Sequence, residues 1–372
     1  MQHAARAITD LLGAPLLASP WVQRLGRVSF LGTLDLHPRS RKPTTRLEHS
    51  LGVAALGLQV GEALDLPRGD LRHFVAACLL HDIGHYPLSH AAEPGFERAL
   101  GVAHHGVSEW ILLGNGAIPD DLSLRPVLVR AGLDPALLWA LIGGQGRLGR
   151  TDLSALLLAP INLDTLDGIV RTARAFHHRG LRLPDPIFVR RGDDLLLAPD
   201  ALPALDRFWA LKDRMYSDVI NLPSNIVAEA ALSRAVEGAF DRGIFARFAE
   251  FDDHALAQLA ASVARQSGLS EGQDDRFQTS RVPPDGPEGG DGVLSVPRVR
   301  KRYYVDPSVG PGPAGLHRRD WPRRYRHTRQ LAFVSARHAA AQLALPGLLD
   351  GPVLGNLSEW STLPPGVEGP DI

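Results

Sequence analysis

From residue 1 to about 265, apolar side chains recur at three- and four-residue spacing. Only Ile187–Leu197 breaks into strand-like alternation, with Arg191-Gly192-Asp193-Asp194 at its turn. That pattern commits the chain to a mainly α fold with one small β-hairpin. Arg46–Leu64 reads as an amphipathic helix, with Leu47, Leu51, Ala54, Ala55 and Leu58 along one stripe. Asp70 is expected to cap a second helix through Phe74, Val75, Cys78 and Leu79 to His81, which Gly84 and Pro87 then end. Further helices are expected near 106–113, 135–142, 151–159, 164–176, 203–219, 226–242 and 254–267.

The pattern stops after Leu269. Between Val282 and Gly315, 14 of 34 residues are glycine or proline, too many for a packed helix or sheet. The expected organisation is therefore a helical unit over 1–268, an irregular Pro/Gly- and Arg-rich segment over 269–330, and a short helix near 331–343 leading into a tail to 372. From Arg298 to Arg329, ten Arg/Lys face only Asp306 and Asp320, with Tyr303, Tyr304, Trp321 and Tyr325 interleaved. A solvated basic surface is the simplest reading; single-stranded nucleic acid is another, because bases stack on aromatics among cations.

Whole-chain charge adds no polyelectrolyte signature, since 40 basic and 41 acidic residues leave −1. The single cysteine, Cys78, excludes an internal disulfide framework and any cysteine-rich metal site. No basic-then-apolar leader stands at the N-terminus, where Pro15 and Pro20 interrupt the apolar stretch, and the uncharged apolar run Leu153–Leu163 has 11 residues where a membrane span needs about 20. A soluble, cytoplasmic protein without membrane partners is expected. Only three lysines occur, so arginine is the default cation here and its presence alone signals little. Gly144-x-Gly146-x-x-Gly149 follows a helical segment rather than a strand, and Gly268-x-Ser270-x-Gly272 opens the irregular segment; neither has the context its chemistry needs.

Histidine is the concentrated residue. Seven of 15 lie between His49 and His105, at 49, 73, 81, 85, 90, 104 and 105. His81 and Asp82 are consecutive, so both can face one site only near a helix end, which Gly84 supplies. Imidazole nitrogen with carboxylate oxygen suits a borderline or hard divalent ion. Asp164, Asp167 and Arg171 share one helix face at i, i+3 and i+7, where Asp167 and Arg171 can form an intrahelical ion pair.

His49, the pair His81-Asp82 and the distant Asp164 resemble the H…HD…D arrangement of the HD-domain metal-dependent phosphohydrolases. Thr45-Arg46-Leu47-Glu48-His49-Ser50-Leu51-Gly52-Val53 and His81-Asp82-Ile83-Gly84-His85-Tyr86-Pro87-Leu88-Ser89-His90 are similar to motifs of one branch, the deoxynucleoside triphosphate triphosphohydrolases, including the SAM-and-HD-domain type. Gln23–Gly32, Leu211–Tyr216 and Arg300–Val309 resemble further segments of that branch, so the likeness extends in pieces over about 20–310. It implies an HD-domain helical bundle with a core of about 44–176 and extra helices. One divalent ion (Mn, Fe, Zn, Ni, Co or Mg) would sit on His49, His81, Asp82 and Asp164. His85, His90 and His104 would be the catalytic, phosphate-facing histidines. Arg46 would contact a substrate phosphate, and Phe30, Asp167, Arg171 and Tyr216 would line the substrate. The implied reaction releases a deoxynucleoside and triphosphate. The implied assembly is a homo-oligomer, with a nucleotide effector as one occupant of the Arg-rich segment.

The sequence also departs from that branch. Phe30 stands where a glutamine reads the sugar 3′-hydroxyl, Gly168 where a tyrosine and Thr172 where an aspartate are expected, and Phe208 where an arginine is expected. His105, rather than a glutamate, follows His104. These changes leave room for a nucleoside monophosphate or another phosphoester as substrate, or for a nucleotide- or nucleic-acid-binding regulator with a vestigial site.

Overall fold

The computed structural model describes residues 2–256, except 38, 42, 147, 149–152, 159–160, 179–180, 193, 221–224, 226–228, 230–231, 234–235 and 238, together with the backbone of four short strands between 293 and 332. The helices are α1 (Gln2–Leu12), α2 (Ala14–Leu17), α3 (Pro20–Arg24), α4 (Arg46–Ala63), α5 (Arg68–Leu80), α6 (Glu93–Leu100), α7 (His104–Leu113), α8 (Arg125–Arg130), α9 (Pro135–Ile142), α10 (Ala155–Leu158), α11 (Leu163–Ala175) and α12 (Leu202–Met215). Between α11 and α12 lies the expected hairpin, β1 (Phe188–Arg191) paired antiparallel with β2 (Asp194–Leu197). Gly192, at its turn, has a left-handed φ of 64°. The fold is mainly α, and no described helix is long and apolar enough to cross a membrane.

The paired helices α4 and α5 form the centre, with α11 and α1 against α4 and α9 against α5. Their start signals are legible. Thr45 caps α4 through a capping box: its hydroxyl accepts the Glu48 N–H, and the Glu48 carboxylate accepts the Thr45 N–H, each at 3.2 Å. Such a cap is worth about 1 kcal/mol and fixes the helix phase that turns His49 inward. The start of α5 corrects the expected cap. Pro67 occupies the cap position and Asp70 sits in the first turn, where its charge meets the positive end of the helix dipole. Seven consecutive residues from Phe74 to Leu80 are buried, so the C-terminal half of α5 is enclosed on all sides. Asn162 caps α11 by accepting the Thr165 N–H at 2.6 Å.

The contact between α4 and α11 depends on a glycine. A Cβ at Gly52 would lie 2.2 Å from Asp167 Oδ1 and 2.7 Å from Arg171 Nη2, so only glycine lets the polar face of α11 reach across α4.

Differences from the expected pattern lie mainly after α9. The helix expected at 151–159 is only Ala155–Leu158 within the described residues, and that at 203–219 gives way to a wider turn over Tyr216–Ile220. Residues 242–250, at the end of the expected 226–242 helix, form tight 3-10 turns. The Pro/Gly-rich segment carries two antiparallel strand pairs, Val293–Ser295 with Gln330–Ala332 and Arg302–Val305 with Leu316–Arg319. Leu331 and Ala332 are therefore strand where the start of a helix was expected. The remainder of 269–372, like all of 257–268, lies outside the described residues.

Candidate active site

Three elements converge on one point: the first turn of α4, the end of α5 and the first turn of α11. His49 Nε2 stands 3.0 Å from Asp164 Oδ1 and 3.5 Å from Asp82 Oδ2. His81 Nε2 stands 3.3 Å from the same Asp82 oxygen and 3.8 Å from Asp164 Oδ1. The rings of His49 and His81 meet edge to face at 5.2 Å. Both Nε2 atoms are buried and make no hydrogen bond. A shell with bonds of about 2.0–2.2 Å has edges of about 2.8–3.6 Å, so three of these four separations match one divalent cation and the His81–Asp164 gap is slightly wider. His49, His81 and Asp164 form one of two clusters among the described residues whose ligand atoms are close enough to hold a cation.

The electrostatics agree. Burial alone would lower the His81 imidazole, yet Asp82 and Asp164 push it up to about 10, so the field at this point favours positive charge. Burial opposes ionisation of Asp82, but His81 and Arg46 hold it well below the usual carboxylate range. Burial likewise opposes Asp164, which His49 and His81 hold below it. Asp164 is the member of the group that faces outward, its side chain 45% exposed where the other three are nearly closed off.

The outer contacts fix both imidazoles. His49 Nδ1–H donates to Asp167 Oδ2 at 2.7 Å, and His81 Nδ1–H donates to the Cys78 carbonyl at 2.9 Å, so each ring has one nitrogen left for the centre. Arg171 clamps Asp167 with Nε at 2.8 Å and Nη2 at 3.0 Å and also donates to the Glu48 carbonyl at 2.8 Å. Asp167 and Arg171 thus form the intrahelical ion pair that their spacing allows, and the structure also joins them to His49 and the start of α4. Arg46 donates to Asp82 Oδ2 at 2.5 Å and to Ser89 Oγ at 2.7 Å, and its guanidinium lies 4.9 Å from the Phe30 ring centroid.

The other face of Asp82 meets the second cluster. His85 Nε2 stands 3.3 Å from Asp82 Oδ1, and the His85 ring stacks on His104 at 4.0 Å and meets His90 edge-on at 4.5 Å. Glu93 gathers this group. It accepts from His90 Nδ1 at 2.8 Å, from the His104 backbone N–H at 3.0 Å and from His104 Nδ1. The carboxylate that the sequence lacks after His104 is thus supplied from α6, eleven residues upstream. Burial works against Glu93's charge, but His104 and His90 hold it well below the ordinary range. Burial, then the charges of Arg46 and His104, push His85 well below the usual imidazole range, so its ring is neutral. His90 is the exposed member, with 60% of its side chain open to solvent. His105 is exposed and lies against His104 at 4.0 Å, while His73 sits on the outer face of α5 and accepts the Asp134 N–H.

The substituted positions form packing rather than a hydroxyl-reading pocket. The Phe30 ring lies 4.4 Å from that of His49, and a Cβ at Gly168 would sit 3.3 Å from Phe30 Cζ. Phe30 and Gly168 are therefore one paired change: the ring fills the space that a side chain at 168 would take. The Thr172 hydroxyl donates back to the Gly168 carbonyl at 2.8 Å, and Phe208 is fully buried. Tyr216 follows α12, half-buried. Lys212, one turn earlier, lies over Trp209 at 5.1 Å; burial pushes its ammonium down to about 8 against the pull of Asp164.

Sequence comparison agrees with this centre. Residues 46–116 match the family model of the HD domain. The chain is 26% identical over 323 residues to metal-dependent phosphohydrolase cns2 of Cordyceps militaris, a match covering 83% of each protein. It is 25% identical over 248 residues to the uncharacterized protein YwfO of Bacillus subtilis, covering 64% of this chain and 54% of that one. A phosphohydrolase from Bacteroides thetaiotaomicron superposes with a TM-score of 0.58 at 16% identity, over 78% of this chain and 84% of that one. A hypothetical protein from Aquifex aeolicus gives 0.59 at 18% identity, over 81% and 85%. At such identities the two structures share the fold. The class that HD motif, fold and ligand set support is the HD-domain metal-dependent phosphohydrolases.

Proposed function

We propose that the protein hydrolyses deoxynucleotides at this centre, acting on deoxynucleoside triphosphates to release deoxynucleoside and triphosphate. The observation that carries the reading is the position of Asp82. One of its oxygens faces the His49–His81–Asp164 centre and the other faces His85, so a cation and the histidine group would address the same phosphoryl group. A bound divalent ion would polarise a phosphoryl oxygen and acidify a water.

The chain's own residues supply the rest. Arg46 uses two of its five N–H donors on Asp82 and Ser89 and offers the remaining fork to a phosphate. His104, oriented by Glu93 through Nδ1, presents Nε2 as the proton donor to the leaving oxygen. His90, held by the same carboxylate, is open to solvent and suits an outer phosphate. Neutral His85 accepts or passes a proton beside Asp82. The triphosphate assignment rests on the motifs around His49 and His81 and on the aromatic Tyr216.

A second reading keeps the chemistry and changes the substrate to a nucleoside monophosphate or another phosphoester. The packing of Phe30 against Gly168 favours it, because no hydroxyl-reading group stands at either position. A panel of deoxynucleoside mono- and triphosphates, assayed on metal-loaded protein for phosphate and triphosphate release, separates the two. Triphosphate from the triphosphates supports the first reading. Orthophosphate from the monophosphates alone refutes it in favour of the second.

A further inference from the structure

Phe251–Asp253 lies far from the ligands in sequence, yet two of its residues reach the walls of the site. Asp253 Oδ1 accepts the Leu88 N–H at 2.7 Å and Oδ2 accepts the Ser29 N–H at 2.8 Å. One buried carboxylate thus bridges the segment that carries Phe30 and the turn that leads into His90. Arg24, fully buried, donates from Nε to the Phe251 carbonyl at 2.6 Å and from Nη2 to the His85 carbonyl at 2.7 Å, with its guanidinium 4.4 Å from the Phe248 ring centroid.

The turn so held is strained. Leu88 and Ser89 both adopt left-handed φ, 56° and 52°, a conformation unfavourable for non-glycine residues that persists only where surrounding contacts impose it. Asp253 supplies such a contact at the first of the two. The second, Ser89, donates its hydroxyl to the Ser29 carbonyl and accepts Arg46 Nε at 2.7 Å, while Arg46 binds Asp82. The chain of contacts runs from Asp253 through Leu88–Ser89 to Arg46 and the ligand Asp82, and on the other side to His90.

We propose that Asp253, backed by Arg24, is a positioning residue of the hydrolytic site: it holds the Leu88–Ser89 turn and thereby sets where Arg46 and His90 stand relative to the metal ligands. The proposal rests on the phosphohydrolase reading and touches no reacting atom. A carboxylate suits the position because it accepts two N–H groups at once. An asparagine would turn its own NH₂ towards one of them and leave donor facing donor.

The test compares wild type with Asp253→Asn and Ser89→Ala, each metal-loaded and full length. Metal content, affinity for inorganic phosphate by calorimetry, and kcat and KM on a phosphoester that wild type turns over are measured, with melting temperature alongside. Both variants are expected to retain the metal, to bind phosphate at least about fivefold more weakly, and to lose about 10–100-fold in kcat, the scale of a misplacement near 1 Å. Arg27→Ala serves as control: it cuts the Arg27–Asp252 ion pair in the same segment, on the half-exposed arginine side, without touching the turn, and should leave all three within twofold. Asp253→Asn that melts earlier but keeps phosphate affinity, kcat and KM within twofold of wild type would overturn the proposal. So would Ser89→Ala with wild-type phosphate affinity, should Asp253→Asn fail to fold. If metal-loaded wild type turns over no phosphoester, the hydrolase reading falls, while the phosphate affinities of the variants still decide the positioning claim.

Discussion

Replacing Asp167 by alanine separates two roles that one carboxylate cannot hold together. Asp167 Oδ2 receives the Nδ1–H of His49 at 2.7 Å. Burial works against its charge, but His49 and Arg171 hold it below the usual carboxylate range. Asp167→Ala removes a charge-assisted bond that fixes both the ring angle and the tautomer of His49. Such a bond contributes about 1.5–3 kcal/mol, which at 1.4 kcal/mol per decade is about 10- to 150-fold in metal affinity. That range overlaps the roughly 10–100-fold effect of removing outer partners from metal-bound histidines. Arg171 keeps the Glu48 carbonyl at 2.8 Å, so the variant does not strand a wholly unpaired cation. Titration of metal-free protein against a chelator of known affinity measures the loss. The reasoning is refuted if metal affinity stays within threefold of wild type while KM for substrate rises, since Asp167 would then serve the substrate directly.

His104→Ala should keep the metal and lower turnover by about 10²–10⁴-fold, the range for a general acid or base, and Glu93→Gln should act in the same direction; elemental analysis with steady-state kinetics checks both. Leucine at Gly168 should depress turnover, because a Cβ there already sits 3.3 Å from Phe30 Cζ, and a second change, Phe30→Ala, should restore it. With no hydroxyl-reading group at positions 30 and 168, a 2′,3′-dideoxynucleoside triphosphate should be used within about tenfold of its 2′-deoxy counterpart, a difference of about 1.4 kcal/mol. A hundredfold penalty in kcat/KM would show that the 3′-hydroxyl is read elsewhere.

The ligand centre was legible because local signals fix its geometry. The capping box at Thr45 and Glu48 sets the phase of His49, and the end of α5 allows His81 and Asp82 to turn to the same point. What the sequence hid were partnerships across distance. Glu93 serves His104 from another helix, Asp253 serves Leu88 across 165 residues, and Asp167 serves His49 across 118. No spacing rule announces such pairs: the i, i+4 spacing of Asp167 and Arg171 announces their ion pair, but not the reach of Asp167 to His49. The clue was Gly52, whose missing side chain leaves the gap that Asp167 and Arg171 enter. Aspartate favours both the cap position and the first turn of a helix, and at α5 Pro67 takes the cap and leaves Asp70 the first turn. Phe30 was legible as a substitution but not as half of a packing pair, since its partner at Gly168 is marked only by an absent side chain.

The central claim is that His49, His81, Asp82 and Asp164 hold a divalent cation on which hydrolysis depends. Its most direct test is metal content per chain by elemental analysis, in wild type and Asp82→Ala purified side by side after equal metal loading and buffer exchange. Asp82 has one oxygen 3.5 Å from His49 Nε2 and 3.3 Å from His81 Nε2, so its loss removes a ligand and the charge that offsets the ion. Wild type should retain a divalent metal that Asp82→Ala lacks, and phosphoester hydrolysis should vanish with it. Equal metal content in the two proteins would contradict the assignment.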